Sequence, residues 1–178
     1  MPWIQNVSLG DIKKGFHINP GGNAMLIQIC DPPGDFPVPK YNFKEVHQFQ
    51  FLDVEKDDFV LEEEMRCSQD QADKLVKLLQ HALTNRMNVI VHCHAGVCRS
   101  GAVCEVGVMM GFDDAEAFRA PNLLVKHKMM QTLGWTYNNS EPHTINGIAV
   151  AEDWTNDNEK VFILANERRK RRDQDGTI

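Results

Sequence analysis

The sequence predicts an α/β fold, a mainly parallel central sheet flanked by helices. Two short apolar runs, residues 24–30 and 89–91, are almost continuous rather than alternating, as in strands covered on both faces. An amphipathic helical stretch precedes the second run, and another helical stretch follows it. Strands alternating with helices imply parallel pairing, with ligands bound beyond the C-terminal ends of the strands.

Each element has its own signal. Ala24-Met-Leu-Ile-Gln-Ile-Cys30 reads as a buried strand, closed by the turn signal Asp31-Pro-Pro-Gly34. In Val46–Val54, Phe49 and Phe51 alternate with Gln48 and Gln50, which predicts a second strand with Asp53 at its far end. Ser68-Gln-Asp-Gln71 has capping-box spacing, so a helix should start there and bury Ala72, Leu75, Val76, Leu79, Ala82 and Leu83. Asn85-Arg-Met-Asn88 ends it, and Val89-Ile-Val91 reads as a buried strand. After a short loop, a helix is expected over 101–110 with Gly111 as its stop. Residues 113–134 read as helical in pieces broken at Pro121. Residues 135–158 are irregular, with turn residues at Asn138-Asn139 and Asn146-Gly147, and 159–172 reads as a last helix.

The chain has 178 residues, 42% of them hydrophobic, enough for one domain over 1–178 with an extension from about residue 135. No run is long and apolar enough for a membrane span, and Met1-Pro-Trp-Ile-Gln-Asn6 lacks the pattern of a signal peptide. Five cysteines, an odd count, fit reduced thiols and a cytoplasmic setting. The net charge of −6 conceals the basic run Arg168, Arg169, Lys170, Arg171 and Arg172; without it, 14 basic residues face 25 acidic ones. So acidic a body disfavours broad nucleic-acid binding, although the tail leaves an anionic partner such as RNA open.

The chemistry concentrates in Val91-His-Cys-His-Ala-Gly-Val-Cys-Arg-Ser-Gly101. A loop between a buried strand and a helix N-terminus gathers main-chain N–H groups into a concavity suited to phosphate. Gly96 allows the tight curve, Gly101 a close approach of helix to sheet, and Arg99 a planar two-pronged clamp on phosphate oxygens. Cys93, placed at the mouth of this nest, is expected to ionise and attack phosphorus, because such surroundings favour a thiolate. Ser100 is expected to hydrogen-bond that sulfur and help it leave, and His92 to orient the loop through hydrogen bonds. His94, Ala95, Gly96, Val97, Cys98 and Arg99 complete the phosphate-binding loop. A metal reading is weaker: Cys93 and Cys98 lack a second cysteine pair, and Arg99 would repel a cation. No metal or cofactor is expected.

His92-Cys93-x5-Arg99-Ser100 resembles the signature of the cysteine-based protein tyrosine phosphatases, and its surroundings resemble the small dual-specificity branch, including bacterial and phage proteins. Phe51-Leu-Asp53-Val54 and Ala120-Pro-Asn-Leu-Leu-Val125 extend the resemblance over about residues 24–134. It implies a parallel sheet flanked by helices, a phosphocysteine intermediate and metal-independent hydrolysis. It also implies an aspartic acid that protonates the leaving oxygen and then activates water. Asp53, 40 residues before Cys93, is favoured by its Phe-x-Asp setting; Asp57 and Asp58, at 36 and 35 residues, remain alternatives. Pro121-Asn122 matches a family feature read as structural.

Departures from the pattern bear on substrate. The loop interior lacks the two lysines of the phosphoinositide phosphatases, and no phosphotyrosine-recognition loop of the large tyrosine-specific enzymes is visible. The expected substrate is therefore a phosphoprotein, through phosphotyrosine and also phosphoserine or phosphothreonine, or a small phosphomonoester. Alternatives are a nucleotide, an RNA 5′-phosphate or an inositol phosphate, and a non-catalytic phosphate-binding module. Cys98 resembles the second loop cysteine of the low-molecular-weight tyrosine phosphatases, which implies a reversible disulfide with Cys93; a small packing residue is the alternative. Cys30, Cys67 and Cys104 read as packing residues.

Overall fold

A computed structural model describes residues 1–54, 65–135, 144–145 and 148–149. The chain divides into two compact units, 1–135 and 136–178. In the first, the elements run β1 (Trp3–Ser8), α1 (Leu9–Lys14), β2 (Ala24–Cys30), β3 (Glu45–Gln50), α2 (Gln69–Thr84), β4 (Asn88–Cys93), α3 (Arg99–Met110), β5 (Asp113–Asp114) and α4 (Leu123–Thr132). The second unit contributes two short antiparallel strands, β6 (Thr144–Ile145) and β7 (Ile148–Ala149). The expected helix over 159–172, its basic run and the two asparagine turns lie outside the described residues.

The five strands of the first unit pair in the order β3-β2-β4-β1-β5, all parallel. Every C-terminal strand end therefore opens on one edge, and β4 is flanked there by β2 and β1. Helices cover both faces. Met25, Ile27, Val89 and Val91 pack with Leu75, Val76 and Leu79 of α2, Val103 and Val106 of α3, and Val125 and Met129 of α4. On the other face Val7, Leu26 and Ile90 pack with Ile12 of α1, backed by Phe16 and Phe43.

The sequence reading of β2 and of the start of α2 matches the structure. Ser68 caps α2 and Gln71 closes the capping box. Elsewhere the boundaries shift. The second predicted strand ends at Gln50, although Phe51 N–H still bonds to the Cys30 carbonyl at 3.1 Å, so Asp53 lies on the connection beyond the strand. The helix expected from 101 begins at Arg99. Of 113–134 only 123–132 is α-helical: Asp113 and Asp114 pair with β1, and Asn122 starts α4 by accepting the Val125 N–H at 3.0 Å.

β1 and α1 were not expected. Trp3–Ser8 contains Gln5, Asn6 and Ser8, which hide its strand character from a search for apolar runs. A signal for α1 was present: Ser8 and Asp11 form a reciprocal capping box.

Candidate active site

Strand alternation sets the site. Along β4, Val89, Val91 and Cys93 point to the face covered by α2, α3 and α4, while Ile90 points to the α1 face. Cys93 ends the strand with 1% exposure, so it lies on the floor of the loop and not at the expected mouth. Its Sγ is 3.2 Å from the Ser100 hydroxyl, in the first turn of α3.

The loop between them is held by its carbonyls. The His94 carbonyl accepts from Leu9 N–H at 3.2 Å and that of Gly96 from Asn6 Nδ2 at 2.7 Å. The Val97 carbonyl accepts from Ala120 N–H at 3.4 Å, and the Cys98 carbonyl from Ala102 and Asn122 N–H at 2.9 and 3.0 Å. A planar trans peptide turns its N–H opposite to its C=O. With these four carbonyls engaged by the surrounding protein, the amides of Ala95, Val97, Cys98 and Arg99 face into the loop. Such an arrangement of N–H groups, with the positive end of the α3 dipole behind it, favours an anion.

Gly96 is indispensable to this shape. Its φ is +74°, and a Cβ there would lie 2.4 Å from Ser8 N and Val7 C, inside the backbone of β1. Gly101 does not serve the expected close approach to the sheet; a Cβ there would meet Arg119 Cβ at 3.3 Å. The helix residue that abuts the sheet is Gly107, where a Cβ would lie 2.7 Å from Ile4 Cδ1.

Arg99 is 3% exposed and held on one side of its fork. Nη1 donates to Asp31 Oδ1 at 2.5 Å and to the Phe51 carbonyl at 2.7 Å. Nε is buried without a hydrogen bond among the described residues, 4.0 Å from Asp53 Oδ2. Anchoring Nη1 thus fixes the guanidinium plane and leaves Nε on the side of Asp53. Asp53, 36% exposed, accepts from Asn122 Nδ2 at 2.7 Å, and the same amide nitrogen reaches the Val54 carbonyl at 3.2 Å. Asp57 and Asp58 lie outside the described residues.

Burial decides the electrostatics of His92. The ring is fully buried, which pushes its pKa down to about 4; the adjacent Cys93 main chain offsets this only in part, and Arg99 adds to it. Neither ring nitrogen makes a well-formed hydrogen bond among the described residues. The ring thus sits buried and neutral beside the Cys93 main chain. All five cysteines are free thiols. Burial pushes Cys67 up to about 11 and Cys104 up to about 12, as suits packing residues. Cys30 is also raised by burial, with Arg99 opposing and Asp31 and Cys93 reinforcing the shift. Cys98, partly exposed, is the N-cap residue of α3.

The structure thus brings Cys93, Arg99, Ser100 and Asp53 to one edge of the sheet, with His94 and Ala95 exposed on the loop rim. Four supporting residues escaped the sequence reading. Asp31 and the Phe51 carbonyl hold Arg99. Asn6 ties the Gly96 carbonyl to that of Phe118, at 2.7 and 2.8 Å, and accepts from Arg119 Nε at 2.8 Å. Only Asn122 carried a signal, through its place in the Pro121-Asn122 pair, and its role extends beyond capping.

Residues 52–110 match a family described as Tc-R-P, polymorphic toxin system, DSP-PTPase phosphatase. No curated protein matches the chain. Among solved structures, a mouse dual-specificity phosphatase complexed with zinc tungstate is 14% identical, with a TM-score of 0.42, over 62% of this chain and 69% of that one. OH1 from the Orf virus, a tyrosine phosphatase with triple substrate specificity, is 13% identical with a TM-score of 0.45, over 74% and 82%. Tk-PTP in its active form is 13% identical with a TM-score of 0.37, over 93% and 90%. The matched segment, about a third of the chain, contains Asp53 and the whole loop from Cys93 to Ser100, and is similar there to a DSP-PTPase phosphatase domain.

Proposed function

We propose that this phosphatase hydrolyses phosphomonoesters of phosphoproteins, phosphotyrosine first, through a phosphocysteine intermediate. The observation that carries the reading is Cys93 beneath a loop whose carbonyls are turned away, with Ser100 Oγ 3.2 Å from its sulfur. The loop amides and Arg99 seat the phosphoryl group and stabilise the charge on its equatorial oxygens. The Cys93 thiolate attacks phosphorus: the S–P bond forms, the P–O bond to the leaving group breaks, and Asp53 gives its proton to the departing oxygen. In the second half Asp53 takes a proton from water, whose oxygen attacks phosphorus. The S–P bond breaks, and the Ser100 hydroxyl stabilises the sulfur as it leaves. The products are the alcohol or phenol and inorganic phosphate.

The position of Asp53 supports its role as the acid, since Asn122 fixes one carboxylate oxygen and the other lies 4.0 Å from Arg99 Nε. A loop without lysines between Cys93 and Arg99 favours singly phosphorylated residues over polyphosphorylated inositols. Nucleotides and RNA ends remain the competing substrates. Reduced thiols suit a cytoplasmic setting, and no helix among the described residues is long and apolar enough to cross a membrane.

The test is turnover of para-nitrophenyl phosphate and a phosphotyrosyl peptide in EDTA, with and without vanadate. Turnover that survives EDTA and stops with vanadate is expected, as is its loss in Cys93→Ser. Binding of the phosphopeptide without turnover would identify a phosphate-binding module instead. Faster hydrolysis of a 5′-phosphorylated RNA than of the peptide would move the substrate class.

A further inference from the structure

We propose that the groove between α2 and the open edge of β3 docks an acidic, extended segment of the substrate protein, a few residues from the phosphorylated one. The inference deepens the reading above and rests on it for the identity of the substrate.

The groove measures about 920 Å³. Phe36, Phe49 and Leu78 give it an apolar floor, and Lys74, Lys77 and His81 stand along the α2 side. Positions 74, 77, 78 and 81 follow helical spacing, so one stripe of α2 lines the groove while Leu75 and Leu79 of the same helix enter the core. Opposite runs β3, the outer strand of the five-stranded sheet, whose far side pairs with no strand among the described residues. An unpaired strand beside an apolar floor can take a further extended chain through main-chain hydrogen bonds, with specificity from the flanking side chains.

Charge selects the occupant. Lys74 and Lys77 are exposed, against a chain whose net charge is −6. The nearby carboxylates, Glu45 and Asp73, hold hydrogen bonds of their own, and the Lys77 charge also acts on Asp73. Glu45 is held by His47 and His81 at 3.2 and 3.0 Å, and those bonds lower its pKa. Asp73 turns toward α4, accepting from the Thr132 hydroxyl at 2.5 Å and from Gln69 Nε2 at 2.9 Å. Lys74 and Lys77 thus stand exposed along the groove, a basic edge that fits an acidic chain. A second copy fits less well, because pairing two β3 edges would bring these lysines toward their own copies.

Position connects the groove to the chemistry. β3 ends at Gln50, and the next residue, Phe51, holds Arg99 through its carbonyl. β3 lies two strands from β4, about 10 Å across the sheet. Three or four extended residues at roughly 3.3 Å each span that distance, so a peptide with its phosphate over Cys93 reaches the groove about four residues away.

The experiment compares phosphotyrosyl peptides whose flank, from about the fourth residue outward on either side, carries glutamates, alanines or lysines. The full chain and its Lys74→Glu/Lys77→Glu variant are assayed, with para-nitrophenyl phosphate as reference. The expected result is a kcat/KM about tenfold higher for one glutamate-flanked peptide than for its alanine counterpart, lost at high salt and reversed toward lysine flanks in the variant. Hydrolysis of para-nitrophenyl phosphate should be unchanged by the substitutions. Equal kcat/KM for all flanks would overturn the proposal, as would a variant that slows every substrate alike. Binding of the unphosphorylated glutamate peptide, read by fluorescence anisotropy, separates the two readings: bound peptide without any turnover sinks the phosphatase mechanism and leaves the groove. A dimer of the wild-type chain that dissociates in the variant would assign the edge to self-association and overturn the proposal.

Discussion

The Asn122 side chain donates to Asp53 Oδ1 at 2.7 Å while its own main-chain N–H donates to the Cys98 carbonyl at 3.0 Å. One residue therefore couples the proposed acid to the phosphate loop, and it also caps α4. Replacing Asp53 by Asn should lower kcat by about 10²–10⁴ for a phosphotyrosyl peptide and much less for an ester with a good leaving group. Replacing Asn122 by Ala should cost about 0.5–2 kcal/mol through the lost cap. It should also lower kcat/KM by about ten- to a hundredfold through misplacement of Asp53. Steady-state kinetics on both substrates, beside thermal melts, check this; an Asp53→Asn enzyme at full rate would return the acid role to Asp57 or Asp58.

Arg99 meets Asp31 at 2.5 Å through the nitrogen that also bonds the Phe51 carbonyl. Asp31→Asn keeps the shape and removes the charge, so kcat/KM should fall about tenfold, the worth of one charge-assisted hydrogen bond. Because the Asp31 carboxylate is half exposed, stability should move by less than about 1 kcal/mol. Arg99→Lys loses the planar fork and should cost about 10²–10³ or more in kcat. A larger loss of stability than of activity in Asp31→Asn would show a structural pair and no positioning role.

These two contacts show where sequence reading succeeds and where it stops. Cys93, Arg99 and Ser100 were legible because they lie within eight residues, and one local motif of strand, loop and helix fixes their geometry. β2 and α2 were legible through a continuous apolar run and a capping box. Asp31 was not: it lies 68 residues before Arg99 and looks like part of a proline turn. Asn6 lies 90 residues before Gly96 within a strand that polar residues disguise. Long-range polar contacts of this kind depend on register, and register becomes visible only once β1, β2 and β4 are seen to be neighbours.

The loop should not tolerate a side chain at 96. In Gly96→Ala the new Cβ would overlap the Val7–Ser8 peptide, and a φ of +74° is itself unfavourable for alanine. The loop must leave β1, breaking the Asn6 bond to the Gly96 carbonyl. A loss of about 1–3 kcal/mol in stability and about 10² or more in kcat/KM is expected from urea unfolding and assay. Wild-type phosphate affinity in this variant would remove the argument that the nest depends on that close approach.

His92 gives the fold a dependence on acid. The unfolded ring titrates near 6.5 and the folded one at about 4, so between those values the unfolded chain binds a proton that the folded chain refuses. The depressed folded value means that the contribution is intact above about pH 6.5 and is lost as pH falls toward 4, at up to about 1.4 kcal/mol per pH unit. His92→Gln should flatten the stability curve over this window relative to wild type, whatever it does to absolute stability. Denaturant midpoints at matched pH values measure the difference, and parallel curves for the two proteins would contradict the buried, neutral ring.

Oxidation should show whether Cys98 guards the nucleophile. Peroxide converts a Cys93 thiolate to sulfenic acid; attack by the Cys98 thiol then forms the S–S bond and releases water. Cys98 is the partly exposed candidate, whereas burial raises Cys67 and Cys104 to about 11 and 12 and suppresses their thiolates. Cys30 is the competitor, because it lies where the charges of Arg99 and Cys93 act on it. Mild peroxide followed by peptide mapping should give a Cys93–Cys98 linkage and an inactive enzyme that dithiothreitol restores, and Cys98→Ser should lose that recovery through over-oxidation of Cys93. A Cys30–Cys93 linkage would transfer the guarding role to the neighbouring strand. Sulfinic Cys93 with a free Cys98 would leave the second loop cysteine as a packing residue.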